Sequence, residues 1–388
     1  VIGAWRRLGL LLPLALVVPG GCAPIEPRYE DGPPSPPCAQ ASAQADWRAP
    51  WVETGEERIG FEELVRRVAA SPVVLVGESH DRFDHHLAQL EIICRLARRF
   101  PDLAVGMEYF QQPFQEVLDA FVAGRIDTAE MLARSEYFER WRYDFRLYAP
   151  ILELARERGI PLLALNVPRE ITRKVARGGL EALSAEERSR IPAELERDDP
   201  GYRARIRAVF EQHPELAGAD FERFLEAQLL WDEGMAERAA RYLAEHPGRR
   251  LVVLAGAGHV ARDGIPARLE RRAGVTVAVV QPAEAPPEAR ADYRLLSRRI
   301  DLPKAGMLGV YLKKGEAAGI LVEDFSEGSA AQAAGIERGE RIVRVEGRAV
   351  EAIGDVKVLL WNRRPGDTVL LRVADAAGAE RDLEVTLR

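Results

Sequence analysis

Val73-Val74-Leu75-Val76-Gly77-Glu78-Ser79-His80 is the stretch that decides the fold. Four consecutive apolar residues, three of them β-branched, suit a strand buried on both faces of a sheet. The polar residues after them fall where a parallel sheet offers its ligands, just past the carboxyl ends of the strands. The same arrangement recurs along the chain. Leu103–Met107 ends at Glu108, Pro161–Leu165 ends at Asn166 with Pro168-Arg169 opening the next helix, and Leu251–Leu254 runs into Gly256-Ala257-Gly258-His259. Val275–Val280 reads as a fifth strand. Between the strands lie helical patterns such as Asp84–Arg99, where Leu90, Ile93 and Ala97 fall on one line, and a long charged helix-rich excursion over Ile171–His246. The predicted class is α/β, a parallel-type sheet with helices on both faces and a helical insert.

Four of the six histidines sit beyond these strand ends: His80, His85, His86 and His259. Glu78, His80, Glu108 and His259 form a nitrogen–oxygen set that suits a divalent metal such as manganese or zinc. Without metal, the same residues suit general acid–base hydrolysis. His85 shares a helical line with Gln89 and is a site candidate, whereas His86 lies on the apolar line and reads as a packing residue. Asn166 and Arg169, at a strand end and a helix start, suit a carboxylate or propionate anchor, or a plain turn. His213 and His246 read as surface residues. No nucleophile elbow for a Ser-His-Asp hydrolase is present. Gly256-x-Gly258-x-x-Ala261 matches a dinucleotide fingerprint in form, but it comes late, and Gln281 stands where an acidic ribose ligand belongs.

At 388 residues the chain suits two or three domains. Its net charge of −7, with acids and bases interspersed, excludes the basic stripe a nucleic-acid partner needs. Three cysteines without a C-x-x-C pair exclude thiolate zinc, iron–sulfur and covalent haem sites, and no disulfide framework is expected. Arg6-Arg7, the apolar run Leu8–Val18 and Gly20-Gly21-Cys22 read as a lipoprotein-type signal over 1–22, although Pro19 stands where a lipobox usually carries leucine. Acylated Cys22 would anchor an exported envelope protein, most simply at the outer membrane. Residues 23–46 form a proline-rich tether, 47–285 the first domain, 286–304 a linker and 305–388 a small β-rich domain with two helices.

Taken in order, Gly77-Glu78-Ser-His80-Asp, His85-His86-x-x-Gln89, Gly106-Met-Glu108, Asn166-Val-Pro168-Arg169, Gln228-Leu-Leu-Trp231-Asp232 and Gly256-Ala-Gly258-His259 closely resemble the ChaN-like haem-binding lipoproteins, relatives of the TIKI, TraB and erythromycin esterase proteins. The resemblance implies noncovalent haem b, tyrosinate ligation supported by histidine between two subunits, and a role in haem or iron uptake. It nominates Tyr148 as iron ligand, with Tyr143 second and Tyr109 a lesser candidate; His80, His85, His259, Asn166 and Arg169 would support the haem. The relatives keep a metal-dependent or His/Glu hydrolase open as the alternative. Gly306-Met307-Leu308-Gly309-Val310, Glu327-Gly-Ser329 and Gly335-Ile336-x-x-Gly339-Glu340-x-Ile342 resemble a bacterial PDZ domain, with Ala330 replacing the usual proline and Glu340 the usual aspartate. That resemblance implies a peptide groove at Leu308, Gly309, Val310, Val356 and Leu360, whether the domain captures C-termini or serves as a scaffold.

Overall fold

The computed structural model describes residues 38, 47–212, 218, 220–315 and 317–388. The expected signal segment with Cys22, the tether other than Cys38, and His213 lie outside the described residues. The chain starts with β1 (Trp51–Thr54), β2 (Glu57–Ile59) and α1 (Phe61–Val68). An α/β succession comes next: β3 (Val73–Glu78), α2 (Phe83–Arg99), β4 (Leu103–Gln111), α3 (Gln115–Val122), α4 (Thr128–Arg134), α5 (Tyr137–Arg140), α6 (Ala149–Arg158) and β5 (Leu162–Asn166). The helical excursion comprises α7 (Arg169–Gly178), α8 (Ala185–Arg188), α9 (Pro200–Glu211) and α10 (Phe221–Glu245). Then come β6 (Arg250–Gly256), α11 (Ala257–Val260), α12 (Ile265–Ala273), β7 (Val277–Pro282) and β8 (Tyr293–Leu296).

These eight strands form one sheet in the order β2-β1-β8-β7-β3-β6-β4-β5. β3 lies between β6 and β7, parallel to both. Its apolar run alternates between two cores, as a period of two requires. Val73 and Leu75 join Met235 and Ala236 of α10 and Leu269 of α12 on one face. Val74 and Val76 join Leu87 and Leu90 of α2 on the other. With helices on both faces, all six β3 residues are buried.

The α/β class holds, with strands β3 to β8 parallel to one another and β1 adding antiparallel pairs with β2 and β8. Two expectations are corrected. Residues 286–304, expected as a linker, supply β8, which runs parallel to β7 and closes onto β1. These three strands are short and carry charges, such as Glu57-Arg58-Ile59 of the edge strand β2, so they lack the apolar run that marked the central ones. Finally, a disulfide is present: Cys38, placed in the structureless tether, bonds Cys94 of α2. Three cysteines preclude a network but leave room for one pair, and Cys38 and Trp47 both enter the core.

The C-terminal unit contains β9 (Val310–Lys314), β10 (Ile320–Phe325), α13 (Ala330–Ala333), β11 (Arg341–Val345), β12 (Arg348–Ala349), α14 (Ile353–Leu360), β13 (Thr368–Ala374) and β14 (Glu380–Thr386). The strand order is β14-β13-β11-β10-β9, with β12 beside β11 and β9 at an edge. Leu308, Ile320, Ile342, Val356, Leu371 and Val385 fill its core. Gly309 has φ 72°, and a Cβ there would lie 2.8 Å from Ser329 Cα, so the loop before β9 requires glycine. This unit packs against the first: Trp361 meets Phe145 edge-on at 5.1 Å, and Arg146 Nη1 donates to the Pro303 carbonyl at 2.7 Å. Val358 of α14 joins the first domain's core.

Candidate functional site at the strand ends

Parallel strands deliver side chains to one edge of the sheet, and the first turns of α2 brace that edge. Gln89 Nε2 donates to the Val76 carbonyl at 3.1 Å, and His86 Nε2 lies 3.2 Å from the His80 carbonyl. His86 is thus the buried packing residue its helical line implied. Beyond β3, His80 Nδ1 sits 2.6 Å from Glu78 Oε1. Glu108, ending the apolar part of β4, accepts the Gly256 amide at 2.7 Å through Oε2. Its Oε1 faces His259 Nε2 at 3.6 Å. Asn166 Nδ2 donates to the Glu108 carbonyl at 3.1 Å, while its buried Oδ1 has no partner among the described residues.

The four strand ends therefore meet. His80, Glu108, Asn166, Arg169 and His259 line a cavity of about 440 Å³, with Trp141 and Trp231 among its walls and Arg140 and Arg173 completing a basic rim. One ligand atom from each of Glu78, His80 and Glu108 lies within 4.8 Å of the others. The acidic and imidazole groups can hold a divalent cation or share protons, and the arginines suit an anionic group beside them.

Electrostatics raise the pKa of both histidines. Burial disfavours the His80 imidazolium, but the Glu78 hydrogen bond and charge, with Glu108 behind, outweigh it and raise the pKa to about 9. His259 is likewise raised against burial, by Glu108 and Asp232. Its Nδ1 lies 2.6 Å from Asp232 Oδ1, and Tyr202 donates to Asp232 Oδ2 at 2.8 Å. Asp232 would be pushed up by its burial, yet His259, Arg268 and Arg205 hold it below the usual carboxylate range.

His85 and the three nominated tyrosines do not line this cavity. His85 is buried in α2, its Nδ1 accepting the Ser79 amide at 3.0 Å and its Nε2 3.7 Å from Asp84 and Glu284. Capture by the loop amide turns it away from His80. Tyr148 has no exposed surface; its hydroxyl accepts from Trp141 Nε1 at 3.0 Å and donates to the His80 carbonyl at 3.2 Å. Burial, then Glu78, pushes that phenol far above its ordinary range. Tyr109 is buried as well, donating to Gln89 Oε1 at 3.3 Å. Tyr143 differs. It is 38% exposed, and its ring centroid lies 4.9 Å from that of His80 and 5.6 Å from that of Trp141. Its other side opens on a second cleft, of about 590 Å³, shared with Leu308, Val310, Val356 and Leu360 of the C-terminal unit.

Asp232, Tyr202, Arg140, Trp141 and Arg173 were not nominated from sequence. Asp232 had a signal: it and Glu233 interrupt a buried helical line between Leu229-Leu230 and Met235-Ala236. Buried charges in a helix need partners, and here they find His259 and Arg271-Arg272. Arg140 and Trp141 had none, because their place depends on the tertiary course of a short connecting segment.

The family model described as haem-binding uptake, Tiki superfamily, ChaN matches residues 64–269, and a PDZ domain model matches 299–374. The solved structure of cofacial haem binding to ChaN of Campylobacter jejuni superposes with a TM-score of 0.51 at 19% identity, covering 63% of this chain and 95% of that one, a likeness of fold. A mutant erythromycin esterase in its open conformation gives a TM-score of 0.37 at 14% identity, over 63% of this chain and 80% of its own, too distant to bear on function. The chloroplastic protein RETICULATA-RELATED 5 of Arabidopsis thaliana is 28% identical over 218 residues, 52% of this chain. The chain spans only 29% of that relative's length.

Proposed function

This chain belongs to the haem-binding uptake ChaN family of the Tiki superfamily, and on that footing we propose that it binds haem noncovalently, with Tyr143 rather than Tyr148 meeting the iron. The observation that carries this reading is the half-exposed Tyr143 ring, backed by His80 and opening on a cleft with apolar walls. The residues present fit a haem. Phe138, Leu308, Val310 and Leu360 supply apolar surface, and Arg142 lines the same cleft with a guanidinium free of ion pairs among the described residues, suited to a propionate. Burial and the Glu78 charge keep the Tyr143 phenol neutral; a bound ferric ion would supply the charge that lets it ionise. His80, its ring 4.9 Å from that of Tyr143, would support the phenol from behind.

Ferric haem titrated into the whole chain is expected to bind saturably, with a high-spin ferric phenolate spectrum that Tyr143→Phe abolishes and Tyr148→Phe preserves. The same spectrum in Tyr143→Phe overturns the assignment. Export and membrane anchoring through Cys22, in haem or iron uptake, belong to the same proposal. They are supported by the basic–apolar start and by the Cys38–Cys94 disulfide, which suits an oxidising compartment.

A second reading has its own observation, the Glu78–His80–Glu108 cluster with His259 beside it. It is a metal-dependent or His/Glu hydrolase in the strand-end cavity. Stoichiometric manganese or zinc lost on His80→Ala, in a chain that takes up no haem, would favour it.

A further inference from the structure

The groove of the PDZ domain does not belong to that domain alone. β9 is an open sheet edge, and α14 faces it across the cleft. At the head of the groove, the Leu308 and Gly309 amides donate to no acceptor among the described residues. Two free amides beside an apolar trough are the donors a chain-terminal carboxylate needs. The remaining wall comes from the first domain, as Phe138, Arg142, Tyr143 and Asp144.

That wall is held in place. Lys357 of α14 lies 5.9 Å over the Phe138 ring, and Gly354 lies against the Glu139 carboxylate. Arg142 adopts φ 75°, a left-handed conformation uncommon for an arginine, which marks the tight turn carrying Tyr143 round onto His80. Asp144 is neutralised by Arg146 at 2.6 Å. The charges left around the groove, Arg142 from the first domain and Lys357 from α14, are both cationic. An extended peptide entering here would run along β9 with the exposed Tyr311 and Met307 nearby and its acidic side chains toward Arg142.

We infer that the PDZ groove and the tyrosine–histidine face are one composite site, in which a peptide C-terminus with an apolar last residue and acidic upstream residues covers Tyr143 and excludes haem. The peptide half stands by itself; the exclusion rests on the haem reading above. The two ligands need the same exposed side of one phenol, so each must weaken the other by an equal factor, about tenfold or more.

The full chain tests this in three steps. Selection from random heptapeptides with free C-termini is expected to enrich an apolar last residue and upstream Asp or Glu, the acidic preference vanishing in Arg142→Glu. No enrichment, or a preference unchanged in Arg142→Glu, overturns the composite groove. In the haem-free chain, the enriched peptide at saturation should slow hydroxyl-radical oxidation of Tyr143 at least threefold, read by mass spectrometry, while remote Trp51 is unaffected. An unprotected Tyr143 overturns the covering role. Haem affinity should then fall about tenfold with peptide present. If haem binds equally well with and without peptide, exclusion is wrong. If haem never binds, the haem reading fails and exclusion with it, while Tyr143 protection still decides the peptide half.

Discussion

Glu78→Gln isolates the force that keeps His80 charged. The substitution preserves shape and removes the carboxylate 2.6 Å from Nδ1. What is left on the imidazole is burial, which favours the neutral form, opposed by the charges of Glu108 and Asp81, so its pKa is expected to fall well below about 9. A rise from 6.5 to about 9 corresponds to roughly 3 kcal/mol of folding stability at most. Because the folded pKa is the higher one, that stability is complete below pH 6.5 and drains away as pH rises through 9. The wild type should therefore lose stability between pH 6 and 10 in a way the variant does not. Removing a buried carboxylate also relieves its desolvation, so the net loss at pH 7 should be smaller, about 1–2 kcal/mol. Imidazole proton shifts followed by NMR give the pKa, and urea unfolding at several pH values gives the stability. A His80 that still titrates near pH 9 in Glu78→Gln refutes this account of its charge.

Asp232→Asn should lower the His259 pKa, since one of the two acids raising it becomes neutral, and the same NMR titration reads the change. Cys94→Ser opens a cross-link between residues 56 apart, which should cost up to about 4 kcal/mol; the melting temperature of the wild type should drop similarly on reduction, and an unchanged value would show that the pair carries no stability. Gly234→Ala drives a methyl into Val167, so a loss of about 1–3 kcal/mol in denaturant unfolding is expected, with β5 and α10 forced apart. Trp361→Ala removes the ring packed on Phe145 and should make the C-terminal unit more mobile, seen as faster amide exchange in α14.

The central strands were legible because being buried on both faces demands unbroken apolar runs, and Val73–Val76 and Leu251–Leu254 have them. Their polar ends marked Glu78, His80, Glu108, Asn166 and His259, all of which converge. β1, β2 and β8 were missed because they are three or four residues long and interrupted by charged or exposed positions, so none carries such a run. Tyr148 and Tyr143 could not be ranked from sequence. They lie five residues apart in one aromatic segment, and only the tertiary course of that segment puts one hydroxyl under Trp141 and leaves the other ring half in solvent. Cys38 gave no sign of its partner, since its surroundings in sequence are proline-rich and its bond reaches across to a helix.

β8 has a practical bearing on how the molecule can be divided. Its last residue, Leu296, is knitted to Trp51, so only a short leash separates it from the start of β9 at Val310. Ser297 Oγ bonds Asp84 at 2.6 Å and the Pro303 carbonyl accepts from Arg146, which shortens that leash further. A cut near residue 285 would strip the sheet of the strand that holds β1 and β2. A cut past Pro303 would leave the sheet whole and set the PDZ domain free, turning a neighbour held at high local concentration into one that must diffuse.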